Sequence, residues 1–188
     1  MKKIVILASG SGTNAENIIR YFEDSDLARV DAIITNNKKA AVIDKARKLG
    51  VSCFVIENQS VESGELARKL KSLKPDLIVL AGYLRLIPED VIKHFPKRII
   101  NIHPSLLPDY GGEGMYGKYV HQAVVENEEE VSGITIHYVT EAYDEGEIIF
   151  QEEVEIDFED EWQEVDYKVR ELEYKHYPEV IEYLLPDL

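Results

Sequence analysis

The chain is poor in cysteine, tryptophan and methionine, with one, one and two among 188 residues. Cys53 alone cannot form an internal disulfide, and the default compartment for such a chain is the cytoplasm. No apolar run approaches the roughly 20 residues that span a bilayer. Met1-Lys2-Lys3 followed by Ile4–Ala8 has the outline of a signal peptide, but its apolar stretch is only about five residues, short of a true signal core. A first strand is expected there. Positive charge is also scarce: 21 Lys and Arg stand against 36 Asp and Glu, a net charge of -15. A field of that sign repels polyanions, which argues against a nucleic-acid partner. An anionic small molecule would need local backbone donors or a few cations to overcome it.

Several chemistry-bearing patterns are missing too. There is no HExxH, no CxxC and no tight His/Asp cluster, so no metal is expected. No G-x-S-x-G elbow exists, and Ser105 lies between Pro104 and Pro108, which leaves a serine nucleophile unsupported.

What is present is a regular alternation. Lys3–Ala8, Val30–Thr35, Val51–Val55, Leu77–Ala81 and Ile99–Ile102 read as buried strands. Asn14–Phe22, Ala40–Leu49, Ser63–Leu73 and Pro88–His94 read as helices between them. This pattern predicts an α/β fold with a doubly wound, mostly parallel sheet. Gly133–Val139 alternates apolar and polar residues and, with Ile148–Ile156, suggests one or two later strands. Glu164–Leu185 reads as a C-terminal helix interrupted at Pro178. No linker or internal repeat divides the chain, so one domain is expected over 1–188.

After the first strand comes Ser9-Gly10-Ser11-Gly12-Thr13-Asn14-Ala15, directly before a helix. Glycines there let backbone N–H groups and the helix N-terminus approach an anion. The spacing of Gly10, Gly12 and Ala15 fits a relaxed dinucleotide fingerprint, but the second strand ends in Thr35-Asn36-Asn37, without the acid that would hold a ribose. The loop suits a phosphate monoester better; a plain tight turn also satisfies it.

Of five histidines, His94 and His176 are expected at the surface and His121 in a loop, while His137 is a candidate for lining a cleft. His103 differs because it follows a buried strand in Asn101-Ile102-His103-Pro104. Residues i and i+2 of a strand share a face, so Asn101 and His103 address one space. A structural histidine satisfies the same spacing. A histidine used in catalysis needs an orienting carboxylate; Asp144, in a turn-rich connection between two strands, is the best candidate among many acids. Asn, His and Asp together suit attack by a substrate amine on a carbonyl.

Four ordered motifs then carry a resemblance: Ser9–Asn14, Leu80-Ala81-Gly82-Tyr83-Leu84-Arg85, Asn101–Pro108, and Gly133–Asp144 followed by Gly146. Together they resemble the glycinamide ribonucleotide formyltransferases, a family of the formyl-folate transferase superfamily with a Rossmann-like fold. The resemblance implies transfer of a formyl group from 10-formyltetrahydrofolate to the amine of glycinamide ribonucleotide in purine biosynthesis, with no metal. It implies a nucleotide half at about 1–100 and a catalytic and folate half at about 101–188. Asn101, His103 and Asp144 become the catalytic set, with Asp144 keeping His103 protonated and oriented. Gly12, Thr13, Asn14, Ala15 and Glu173 would bind the ribonucleotide. Leu84, Arg85, Leu86, Ile87, Thr140 and Glu141, with Asn101 and Asp144, would border the folate. A cis bond at Leu107-Pro108 is implied as well.

The segment Asp109–Gly117 is longer and richer in glycine than the family's usual link, and Ser60–Gly64 offers no folate-side arginine. Within the superfamily, the tRNA-directed enzymes need a further C-terminal domain and basic surface, and the formyl-folate hydrolases an N-terminal regulatory domain; neither is expected here. Sugar N-formyltransferases are further relatives. A noncatalytic nucleotide-binding module would use the glycine loop and leave Asn101, His103 and Asp144 idle.

Overall fold

The computed structural model describes residues 1–188. A seven-stranded sheet in the order β3-β2-β1-β4-β5-β6-β7 forms its centre. The strands are β1 (Lys2–Leu7), β2 (Ala28–Thr35), β3 (Ser52–Val55), β4 (Leu77–Leu80), β5 (Ile99–His103), β6 (Val131–Tyr138) and β7 (Ile148–Glu155). β1 to β5 are parallel, and β6 and β7 add on antiparallel. The helices are α1 (Thr13–Tyr21), α2 (Val42–Lys48), α3 (Asn58–Glu62), α4 (Glu65–Leu73), α5 (Glu89–His94), α6 (Lys118–Glu126) and α7 (Trp162–Leu184). No helix is long and apolar enough to cross a membrane.

Apolar residues on both faces of β1 explain the layering. Ile4 and Ile6 enter a core shared with Ala15 and Ile18 of α1 and Val165 and Val169 of α7. Val5 and Leu7 enter a second core with Leu66 and Leu70 of α4 and Val91 of α5. Burial of each such side chain contributes about 1.5–3 kcal/mol, so a strand apolar throughout is stable only between two helical layers. The chain leaves β1 for β2 and β3 on one side, then crosses to β4 and β5 on the other. The reversal between β1 and β4 opens a crevice at the carboxyl ends of the strands, where ligands of such folds gather.

Three features differ from the sequence reading. Helices α3 and α6 lie where loops were expected, so His121 is a buried helical residue. His176 is not a surface residue: its side chain is 12% exposed and its ring packs 4.9 Å from that of Phe150, because α7 lies against β7. Finally, α7 runs unbroken through Pro178. Proline lacks the N–H that would bond the carbonyl four residues back, here that of Tyr174. Asn17 of α1 donates its side-chain amide to that carbonyl at 2.8 Å. A neighbouring helix thus supplies the missing donor, and the kink is avoided.

Candidate active site

The crevice holds a cavity of about 610 Å³, lined by Gly10–Asn14, Leu80–Ile87, Asn101–Pro104 and Gly112–Gly117, with further residues from α6, β6 and α7. Its volume lies in the usual range for small-molecule sites. Two loops meet at its floor. The Ser9 N–H donates to the Gly82 carbonyl at 2.9 Å, and the Ser9 hydroxyl accepts from the Leu84 N–H at 3.0 Å. Gly12 has φ 70°, and a Cβ there would collide with Val42. Glycine is therefore required for the loop to turn into α1.

At the end of β5, the strand's pleat puts Asn101 and His103 on the cavity wall together, as their spacing predicts. The register of β6 sets His137 opposite Asn101 and Thr135 opposite His103. The Asn101 Nδ2 lies 3.2 Å from His137 Nε2, while His137 Nδ1 donates to the Tyr138 carbonyl at 2.9 Å. Thr135 anchors the turn beneath the site. Its hydroxyl donates to the Ser105 carbonyl at 2.7 Å and accepts from the Leu107 N–H at 2.9 Å and Gln151 Nε2 at 2.8 Å. The following Leu107-Pro108 bond is cis. The chain then returns so that the Tyr110 carbonyl accepts from His103 Nε2 at 2.7 Å.

Asp144 reaches between the two histidines from the loop after β6. Its Oδ2 lies 3.4 Å from His103 Nδ1, and its Oδ1 lies 3.6 Å from His137 Nε2. Oδ2 also accepts from the Gly112 N–H at 3.0 Å. Burial works to raise the Asp144 pKa, but His137, the charge of His103 and the Gly112 N–H together hold it below the ordinary value. For His103, burial wins: it pushes the imidazole below its ordinary pKa against the opposing pull of Asp144 and the Tyr110 carbonyl. The resemblance gives Asp144 the task of keeping His103 protonated; here desolvation outweighs that attraction.

Across the cavity, Asn14 Nδ2 donates to Glu173 Oε2 at 2.8 Å. Burial pushes the Glu173 carboxyl up to about 7, against the Asn14 hydrogen bond and the Arg170 charge. Leu84 and Leu86 are exposed leucines on the cavity rim, and Arg85 and Ile87 line the same wall.

The cavity thus gathers Gly12, Thr13, Asn14, Leu84–Ile87, Asn101, His103, Asp144 and Glu173. Ala15 instead packs fully into the core, where only a small side chain lets α1 approach the sheet. Thr140 and Glu141 lie outside the cavity lining, and the Thr140 hydroxyl is turned onto the Ala142 backbone. His137 lines the cleft, as its place on an alternating strand allows; the sequence reading misses the Tyr110 carbonyl, Asp166 and Arg170, and sets His121 in a loop. Asp166, Arg170 and Glu173 recur at i, i+4 and i+7 on one helix face, a spacing the sequence carried.

The doubly wound sheet with an Asn, His and carboxylate set beyond its strand ends defines a class of Rossmann-like group-transfer folds. Within that class, a sequence profile described as formyl transferase matches residues 2–181, and the chain belongs to that family. It is 37% identical over 191 residues to a phosphoribosylglycinamide formyltransferase of Bacillus subtilis, covering 98% of this chain and 95% of the relative. A chloroplastic phosphoribosylglycinamide formyltransferase of Arabidopsis thaliana is 38% identical over 187 residues. That match covers 96% of this chain, which spans only 64% of the plant protein's length. The crystal structure of glycinamide ribonucleotide transformylase 1 from Geobacillus kaustophilus superposes with a TM-score of 0.89 at 34% identity, covering 98% of this chain and 99% of that one.

Proposed function

We propose that this single-domain chain transfers the formyl group of 10-formyltetrahydrofolate to the amine of glycinamide ribonucleotide, a step of purine biosynthesis, in the cytoplasm. The observation that carries the reading is that one cavity joins the glycine loop, the rim leucines and the Asn101–His103–Asp144 set, in a chain whose relatives bear that name. The phosphate lies against Gly12, Thr13 and Asn14, whose N–H groups lead into α1, and Glu173 borders the ribose side. The folate ring system lies against Leu84–Ile87, whose exposed leucines offer an apolar surface to a flat heterocycle. Both ligands are substrates, and no metal, nucleic acid or membrane takes part.

In the reaction the amine nitrogen forms a bond to the formyl carbon, and the bond from that carbon to the folate nitrogen breaks. Negative charge gathers on the formyl oxygen in between. Asn101 supplies an N–H to that oxygen, and His103 supplies positive charge beside it. Removing one such donor costs about 3–4 kcal/mol of barrier. The amine nitrogen loses one proton and the folate nitrogen gains one. His103 Nδ1, facing Asp144 at 3.4 Å, is placed to hold that proton. Burial keeps His103 neutral at rest; Asp144 and the Tyr110 carbonyl both favour the cation once negative charge builds nearby.

The test is turnover of glycinamide ribonucleotide with 10-formyltetrahydrofolate by the purified chain. Inactivity with that pair, alongside formylation of a sugar amine or another acceptor, would reject the assignment.

A further inference from the structure

In the wall that α6 and α7 give the cavity lies a chain of polar groups that the mechanism above leaves unused. His121 of α6 is buried, and its Nε2 lies 3.4 Å from Asp166 Oδ1. Its Nδ1 is buried without any hydrogen-bond partner. The other carboxylate oxygen, Asp166 Oδ2, is paired with Arg170 Nη2 one turn further along α7. One carboxylate thus turns one oxygen towards a buried imidazole and the other onto a guanidinium. The Arg170 side chain remains 44% exposed and lines the cavity. One turn further, Glu173 meets Asn14 of the glycine loop, so Arg170 lines the same cavity one helical turn from the contact with that loop. Of the lysines and arginines, only Arg170 and Arg85 line the cavity, and Arg85 is on the opposite, leucine-bearing wall.

We propose that Asp166, held by His121, is a positioning residue that aims Arg170 at the phosphoryl group of the ribonucleotide. This rests on the reading of the glycine loop as a phosphate site. It answers a difficulty of charge: a chain of net charge -15 repels an anionic substrate unless a cation is held at the spot. An unsupported arginine would lose rotamer freedom on binding, whereas one already held by a carboxylate keeps its remaining fork donors oriented. His121 sets the carboxylate's rotation. Burial keeps its imidazole below the ordinary histidine pKa against the pull of Asp166, and Nε2 is the ring nitrogen that faces the carboxylate.

The test is calorimetric titration of ribose 5-phosphate, and of ribose, into the intact protein, which needs no turnover and so stands apart from the choice of amine acceptor. Asp166→Asn, Arg170→Gln and His121→Leu should each weaken ribose 5-phosphate binding about tenfold, as loss of a charge-assisted contact does, and leave ribose unchanged. His121→Gln, whose amide can occupy the Nε2 position, should restore near wild-type affinity. In turnover, Asp166→Asn should raise KM for the phosphorylated substrate about tenfold while kcat and the folate KM stay within about twofold. Equal affinities across the variants would overturn the proposal. So would a loss shared equally by ribose, a failure of His121→Gln to restore binding, or a wild-type protein that does not bind ribose 5-phosphate.

Discussion

Asp144 and Glu173 are both half-buried carboxyl groups in the wall of one cavity, and their environments drive them to opposite states. Asp144 has two histidines and a backbone N–H around it, and its pKa falls. Glu173 has one amide donor and a cation one turn away, and burial carries it up to about 7. The difference teaches that burial pushes both carboxyls upward, and that the outcome turns on whether enough donors and positive charge face the oxygens to outweigh it. It also assigns temperament. The strand end of the cavity keeps a fixed negative charge beside a histidine, while the helix end keeps a carboxyl that changes state near neutrality.

The largest test breaks the strand end. Asp144→Asn and His103→Ala should each lower kcat on the order of 10²–10³-fold with small changes in either KM, because they remove charge felt mainly at the transition state. Steady-state kinetics at saturating substrates decides this; a loss confined to KM would reject the assigned role. The next test addresses the helix end. Glu173 keeps its proton in the fold at pH values where the unfolded chain has already released it, so stability is full below about pH 4.5 and falls until the pH passes about 7. The fall should amount to roughly 3 kcal/mol, and urea melts of Glu173→Gln across that window should lack it. The smallest test joins the two ends in kind. Asn14→Ala removes the one donor on Glu173, and the midpoint of the stability loss should rise by about one pH unit. An unmoved midpoint would mean that the hydrogen bond does not govern the carboxyl.

The parts of the molecule that were legible in the sequence are those where local pattern and tertiary burial agree. β1, β2, β4 and β5 are continuous apolar runs because helices cover both faces, and Asn101 and His103 share a wall because a pleat repeats every two residues. Helix α3 was illegible because Asn58–Glu62 is short and polar, carrying one buried residue, Val61. Helix α6 begins after a glycine-rich stretch and starts at Gly117 without a side-chain cap, so its face, and with it His121, carried no start signal. Pro178 misled for a different reason. The groups that rescue it, Asn17 and the Tyr174 carbonyl, lie 157 positions apart. The pairing of Asp144 with His103 was inferred from motif order; the closeness of His137 depends on strand register, which spacing along one segment cannot report.

One backbone angle bears on how this site can change. Asp144 has φ 56°, in the left-handed region, which aspartate and asparagine enter at little cost and longer or branched side chains resist. Among single-residue replacements, glycine and asparagine fit this angle most easily and both cancel the charge; glutamate keeps the charge but its extra carbon moves the oxygens from their place between the histidines. Inheritance therefore finds an on-or-off choice at this position, with no graded series between.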